Sequence, residues 1–148
     1  ISKGRIIFMN ISLTELAQAI ARSDVVQSYV DLKEGRVISL PDAPADADDD
    51  TAAFEYAMQL EEDYERYIPL ANLYDGIEPD AMQAFADAQP QAMKERLCAV
   101  LAAPGAAPHF RQQVRYLLLE RKWRSFLREY VRKAARSFCE ENDITYEE

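Results

Sequence analysis

Four glycines, two cysteines and one histidine in 148 residues leave little of the usual equipment of a catalytic or cofactor site. Gly4, Gly35, Gly76 and Gly105 stand apart, so no glycine-rich loop is available to cradle a phosphate. Cys98 and Cys139 are distant and form no CxxC, which argues against a disulfide framework or a cysteine zinc site. Both fall in helical, apolar-patterned stretches and read as small buried hydrophobes. His109 stands beside Pro108 at a helix start, with no nucleophile as its sequence neighbour, so a Ser-His-Asp or Cys-His arrangement has no visible basis. No stretch reaches the ~18 apolar residues of a membrane span. The opening ISKGRIIF is too short for a signal peptide. A bacterial cytoplasm is the expected setting. Met9 is a candidate natural start, which leaves residues 1–8 as either non-native or a short strand around Arg5–Phe8.

Basic residues are missing where acid is densest. From Asp42 to Asp63 there are nine acidic residues and no basic one; from Arg111 to Arg136 there are nine basic residues against Glu120 and Glu129. The net charge of −9 favours solubility and opposes bulk attraction to nucleic acid, which the basic segment contradicts locally. At 148 residues and 49% apolar, one domain spanning 1–148 with a single core is expected.

Ser12 and Glu15 make a capping box ahead of Leu13, Leu16, Ala17 and Ile20, predicting a helix from Leu13 to Ala21 or Arg22. Ser28–Leu32 and Arg36–Leu40 flank Lys33-Glu34-Gly35, a hairpin whose glycine can take positive φ. Residues 42–51 (DAPADADDDT) read as an exposed acidic loop. Asp46–Asp50 offers hard oxygen ligands but lacks the spacing of a calcium loop, so no metal is assigned. A helix follows from about Ala52 to Tyr64, carrying Phe54, Ala57, Met58 and Leu60 or Glu61 at its changing faces. Tyr67–Leu70 is a short extended piece, with Pro69 suited to an edge or strand end. Helices are then predicted from Glu78, with Pro79 in the first turn, from Pro90, from Pro108 with Phe110, Val114, Leu117 and Leu118 as apolar positions, and from about Arg121 to Glu141 with Asn142 as C-cap. The fold class is α+β: mostly helices, with a small antiparallel hairpin or sheet near the N-terminus, extended by Tyr67–Leu70 or by Ile6–Phe8.

Arg124, Arg128, Arg132 and Arg136 recur every four residues, a slanting stripe roughly 18 Å long at about 1.5 Å rise per residue. Like charges four apart destabilise an isolated helix by about 0.2–0.5 kcal/mol per pair, so something should offset the repulsion. Solvation, the acidic segment Asp42–Glu65, nucleic-acid phosphates and a protein partner all remain open. Three functions follow. The first is a non-enzymatic interaction or regulatory protein, such as an acidic neutralising partner of the immunity or antitoxin type. The second is nucleic-acid binding through Arg111, Arg115, Arg124, Arg128 and Arg132. The third is an enzyme using Asp31 with Arg66 in a cleft. Tyr64, Tyr67 and Tyr74 follow the acidic helix; tyrosine mixed with charge suits protein recognition, and Tyr67 joins Arg136 and the residues above as a candidate partner contact.

The order of these pieces carries a resemblance. Tyr29-Val30-Asp31-Leu32-Lys33-Glu34-Gly35-Arg36-Val37 is followed by the acidic stretch, then Glu65-Arg66-Tyr67-Ile68-Pro69-Leu70, Gly105, Phe110-Arg111, and Trp123 with Phe126 and Arg128; Phe138-Cys139-Glu140-Glu141-Asn142-Asp143-Ile144 ends the pattern. Over about residues 10–146 this resembles the bacterial uncharacterised protein family 0158. The chain departs from it at Phe110-Arg111-Gln112-Gln113-Val114, where the family tends to Phe-Arg-x-Phe-Lys, and at Phe138, where it tends to tryptophan. The resemblance implies one fold and a bacterial cytoplasmic setting; it implies no catalytic residue and no cofactor.

Overall fold

The computed structural model describes residues 10–40 and 47–148; the candidate start at Met9, the strand considered at residues 5–8 and the first part of the expected acidic loop lie outside them. The fold is α+β, as the sequence indicates, with six helices and two small sheets among the described residues. These residues form two compact units, one up to Tyr74 together with Arg132–Glu148, the other Asp75–Val131.

The first unit carries the sheets. Strand β1 (Ile11–Ser12) runs parallel to β5 (Tyr146–Glu147), with Ile11 opposite Tyr146. Helix α1 (Leu13–Ala21) starts as expected: Ser12 Oγ accepts from the Glu15 N–H at 3.2 Å. The Glu15 carboxylate leaves the box and accepts from the Val37 N–H at 3.4 Å, satisfying a donor on an edge strand. Strand β2 (Ser28–Asp31) is central, between β3 (Arg36–Ser39) and β4 (Tyr67–Pro69), all antiparallel. All four β2 residues are buried. Gly35 closes the β2–β3 turn at φ 68°, and its N–H donates to the Asp31 carbonyl at 2.8 Å. Pro69 takes an edge position, where its missing N–H costs no ladder bond.

Helix α2 (Ala47–Glu62) corrects the expected loop over 42–51: residues 47–51 are helical, and the helix begins about one turn earlier than Ala52. Small, helix-compatible alanines among the aspartates, with acid near an N-terminus, account for this start. Leu60 seats α2 on Tyr29 and Leu40, with Ala57 and Tyr67 at the margin.

Helix α3 (Leu73–Asp87) also begins earlier than Glu78, so Pro79 lies inside it and not in its first turn. The early start is held from a distance. Ser23 Oγ accepts from the Tyr74 N–H at 2.9 Å while its own hydroxyl donates to the Ile20 carbonyl at 2.7 Å, a cap supplied by a residue 51 positions upstream.

The second unit is helical. Most of α3 packs with α4 (Gln91–Leu101), α5 (Ala106–Tyr116) and the first part of α6 (Glu120–Glu141) around Met82, Phe85, Leu97, Phe110, Val114, Leu119 and Trp123. Phe85 meets Trp123 and Phe126 edge-on at 5.3 Å, and Phe110 meets Trp123 at 5.0 Å. Pro90 and Gly105 mark helix starts, Gly105 at φ 69°.

Candidate functional site

The structure brings Asp31, Arg66 and Tyr67 together. Asp31 is the last residue of β2 and stands opposite Tyr67 on β4, while the Leu32 N–H donates to the Arg66 carbonyl at 2.9 Å. The Arg66 guanidinium then folds back on Asp31 in two parallel bonds, Nε to Oδ1 at 2.8 Å and Nη2 to Oδ2 at 3.0 Å. Oδ1 also accepts from the Lys33 and Glu34 N–H groups, at 3.1 and 3.3 Å. The Asp31 side chain is 2% exposed and that of Arg66 29%. Arg66 lies over the Tyr67 ring at 4.8 Å. Burial pushes the Asp31 carboxyl up; the hydrogen bond from Arg66, the N–H of Glu34, the Arg66 charge and the N–H of Lys33 outweigh it and hold the group below its ordinary value. The hydrogen bond to Asp31 raises Arg66 in turn. A carboxylate so engaged is an anchor between hairpin and β4: it holds its charge and accepts four hydrogen bonds, three at Oδ1 and one at Oδ2.

The arginines are divided. Arg111 pairs with Glu78 at 3.1 Å. Arg115 and Arg124 share Glu120, at 3.9 and 3.2 Å. Arg132 and Arg136 reach Glu148 on the C-terminal side of β5, at 3.4 and 3.0 Å, and Arg132 also donates to Thr14 Oγ1 at 3.1 Å. The hydrogen bond from Arg136 is foremost in lowering the Glu148 carboxyl. Arg121, Lys122 and Arg128 are exposed and make no ion pair among the described residues. Pairing with the acidic segment is one of the alternatives open for the stripe; among the described side chains, none of Glu55, Glu61, Glu62, Asp63 and Glu65 pairs with these arginines. Four-residue spacing explains the division. Each step overshoots a turn by about 40°, so the stripe winds around α6. Its early members emerge fully, and its later members lie half-buried beside Ala135 and Cys139.

The sequence model of an uncharacterised protein family (UPF0158) matches residues 7–147. The chain belongs to that family. The Asp31–Arg66 tie joins the two segments on which the resemblance to UPF0158 rests most, Tyr29–Gly35 and Arg66–Leu70. No curated protein matches the chain, and no solved structure does.

Two features of this UPF0158 chain escaped the sequence reading. On α2, Phe54 is 65% and Met58 48% exposed, one turn apart, beside exposed Glu55, Glu61 and Glu62. At the α5–α6 turn, Leu118 is 90% exposed, where the sequence places it among the apolar positions of its helix. The helix ends at Tyr116, two residues too soon for that: Leu118 has φ 62°, which turns its side chain out. Cys139 is buried, and burial pushes its thiol up to about 11, with Glu140 adding to the effect, so it is no nucleophile at neutral pH. His109 is exposed. No described helix is long and apolar enough to cross a membrane.

Proposed function

We propose that this protein is a non-enzymatic interaction module, and that the outer face of helix α2 is its recognition surface for a basic protein segment. One observation carries the reading: Phe54 and Met58 form an adjacent exposed apolar pair on a helix whose flanking charges are all acidic. Exposed apolar residues scattered singly are ordinary, but a pair rimmed by charge of one sign has the composition of an interface core and rim. Methionine adds an adaptable surface. The reading takes the bacterial cytoplasm as its setting, in keeping with free thiols at Cys98 and Cys139. The locked hydrogen bonding of Asp31 supports a structural part for it over a catalytic one.

Affinity capture from bacterial lysate, run with the wild-type chain and with Phe54→Ser/Met58→Ser, tests this. Expected is a basic protein retained by the first and lost by the second, with helicity by circular dichroism unchanged. Equal capture by both would overturn it.

A second reading has its own observation. Arg121, Lys122 and Arg128 are exposed without ion pairs among the described residues, which supports contact with nucleic-acid phosphates. Arg111, Arg132 and Arg136 contribute less, being held by Glu78 and Glu148. Titration of labelled duplex DNA and single-stranded RNA at low salt decides: binding that falls steeply with added salt supports it, and no binding ends it.

A further inference from the structure

We infer that the protein self-associates, the α5–α6 corner of one copy, led by Leu118, docking on the outer face of helix α2 of a second copy. This rests on the reading of α2 as a recognition face and names its occupant.

The corner begins with backbone geometry. Helix α5 ends in a Schellman motif: the Leu118 N–H donates to the Arg115 carbonyl at 3.1 Å and the Leu119 N–H to the Val114 carbonyl at 2.8 Å. The residue between helix and exit must be left-handed, and glycine is the usual occupant because a side chain is strained there. Here it is leucine, at φ 62°. The apolar contact that accompanies such a motif is made by Leu119 and Val114, both buried in the helical core, and takes nothing from Leu118. A leucine at 90% exposure thus stands where local geometry favours glycine and where the core gains nothing from it. Strain retained without a packing return points to a role outside the folded chain.

The surroundings of Leu118 specify the partner. Arg115, Arg121 and Lys122, all within four residues of it in sequence, are exposed, and the acid among them, Glu120, is shared between Arg115 and Arg124. Tyr116 is exposed as well, with the Arg96 guanidinium 5.2 Å from its ring centre. The corner is an apolar knob rimmed by positive charge. The face of α2 is its complement: an apolar pair, Phe54 and Met58, rimmed by Glu55, Glu61 and Glu62, in a segment with no basic residue from Asp42 to Asp63. Every copy of the chain carries both, so a second copy is the partner that is always present. In such an arrangement each copy offers two different patches, and the contact is between unlike surfaces.

Sedimentation equilibrium over micromolar to sub-millimolar protein, at low and high salt, tests the inference. The wild-type chain should gain mass with concentration, less so in high salt because the rims are charged. Leu118→Gly should weaken association at least tenfold while raising the melting temperature, because glycine relieves the strain. Phe54→Ser/Met58→Ser should weaken association similarly. Mixing the two variants should restore a one-to-one complex tighter than either forms with itself, since an intact corner then meets an intact α2. A wild-type chain that stays monomeric, a Leu118→Gly chain that associates as well as wild type, or a mixture that restores nothing would each overturn the inference. If the wild type is monomeric yet the Phe54- and Met58-dependent capture of a basic protein persists, the self-association fails and the α2 reading stands. If both fail, both fall.

Discussion

In the sheet-bearing unit the ties between distant segments are polar; in the helical unit they are rings. Asp31 holds Arg66, Ser28 and Ser39 share a hydrogen bond at 2.9 Å across β2 and β3, Glu15 caps Val37, and Ser23 caps Tyr74. Against these, Phe85, Phe110, Trp123 and Phe126 interlock edge-to-face, and Phe126 stacks on Tyr130 at 6.0 Å. Directional polar contacts choose one partner and one register. Ring packing supplies more free energy with less dependence on pH. Each unit is vulnerable in its own way: the first to loss of a single donor, acceptor or charge, the second to loss of volume.

The largest effect should come from the rings. Phe110→Ala is expected to cost about 4 kcal/mol, since it removes a fully buried ring and leaves a cavity. Denaturant unfolding measures this, and hydrogen exchange shows where it falls. Loss of amide protection confined to α3–α6 is expected; equal loss in β2–β4 would mean that the units unfold as one.

Next comes the carboxylate. Asp31→Ala should cost about 3 kcal/mol, toward the lower end for breaking a buried pair because Arg66 can reach water. Its signature is local: protection should fall at Lys33, Glu34 and Leu32, whose amides depend on Asp31 or on the Arg66 chain it positions.

A pH dependence follows from the same group. The Asp31 carboxyl lies below its ordinary value of 3.8 in the fold. The unfolded chain therefore binds the proton more readily, and stability rises with pH through that range. The contribution of Asp31 is fully present above about pH 4 and is lost as pH falls through its lowered value. The stability gap between wild type and Asp31→Asn should accordingly narrow below that point. A gap constant from neutral to strongly acidic pH would contradict the ion-pair account. Phe110→Ala should show no such narrowing.

The smallest effects belong to the stripe. Arg128→Glu should leave the melting temperature unchanged within error, and Glu148→Gln should lower it only slightly, because exposed pairs are solvated and screened. A large loss from Glu148→Gln would mean that the C-terminal strand depends on charge for its seat.

Local signals were readable in the sequence, and remote ones were not. Ser12 with Leu13–Ala21, the Gly35 hairpin, Pro69 at an edge, Pro90 before α4 and the long α6 each follow from residues within a turn or two of the feature. The start of α3 did not, because its cap comes from Ser23 in a different segment. Glu15 leaves its capping box for Val37, 22 residues away, which no spacing rule shows. Charge sorting points to the arginines as the place of interest, and among the described residues their ion-pair partners include Glu78, Glu120 and Glu148, which lie outside the acidic block. The opposite charges of Asp31 and Arg66 make them a candidate pair in the sequence, and their meeting follows from the β2–β4 register. The outward Leu118 was hidden because a run of leucines gives no sign of which one the helix will leave behind.

The parallel pairing of β1 with β5 has a consequence for how the chain comes off the ribosome. Residues 75–131 are contiguous, so the helical unit has all its parts once that stretch has emerged. In the sheet-bearing unit β1 needs Tyr146 to partner Ile11, so that early-made strand waits until residues 146–147 have been synthesised. During that interval β1 has an open edge, and the helical unit is the one positioned to fold first.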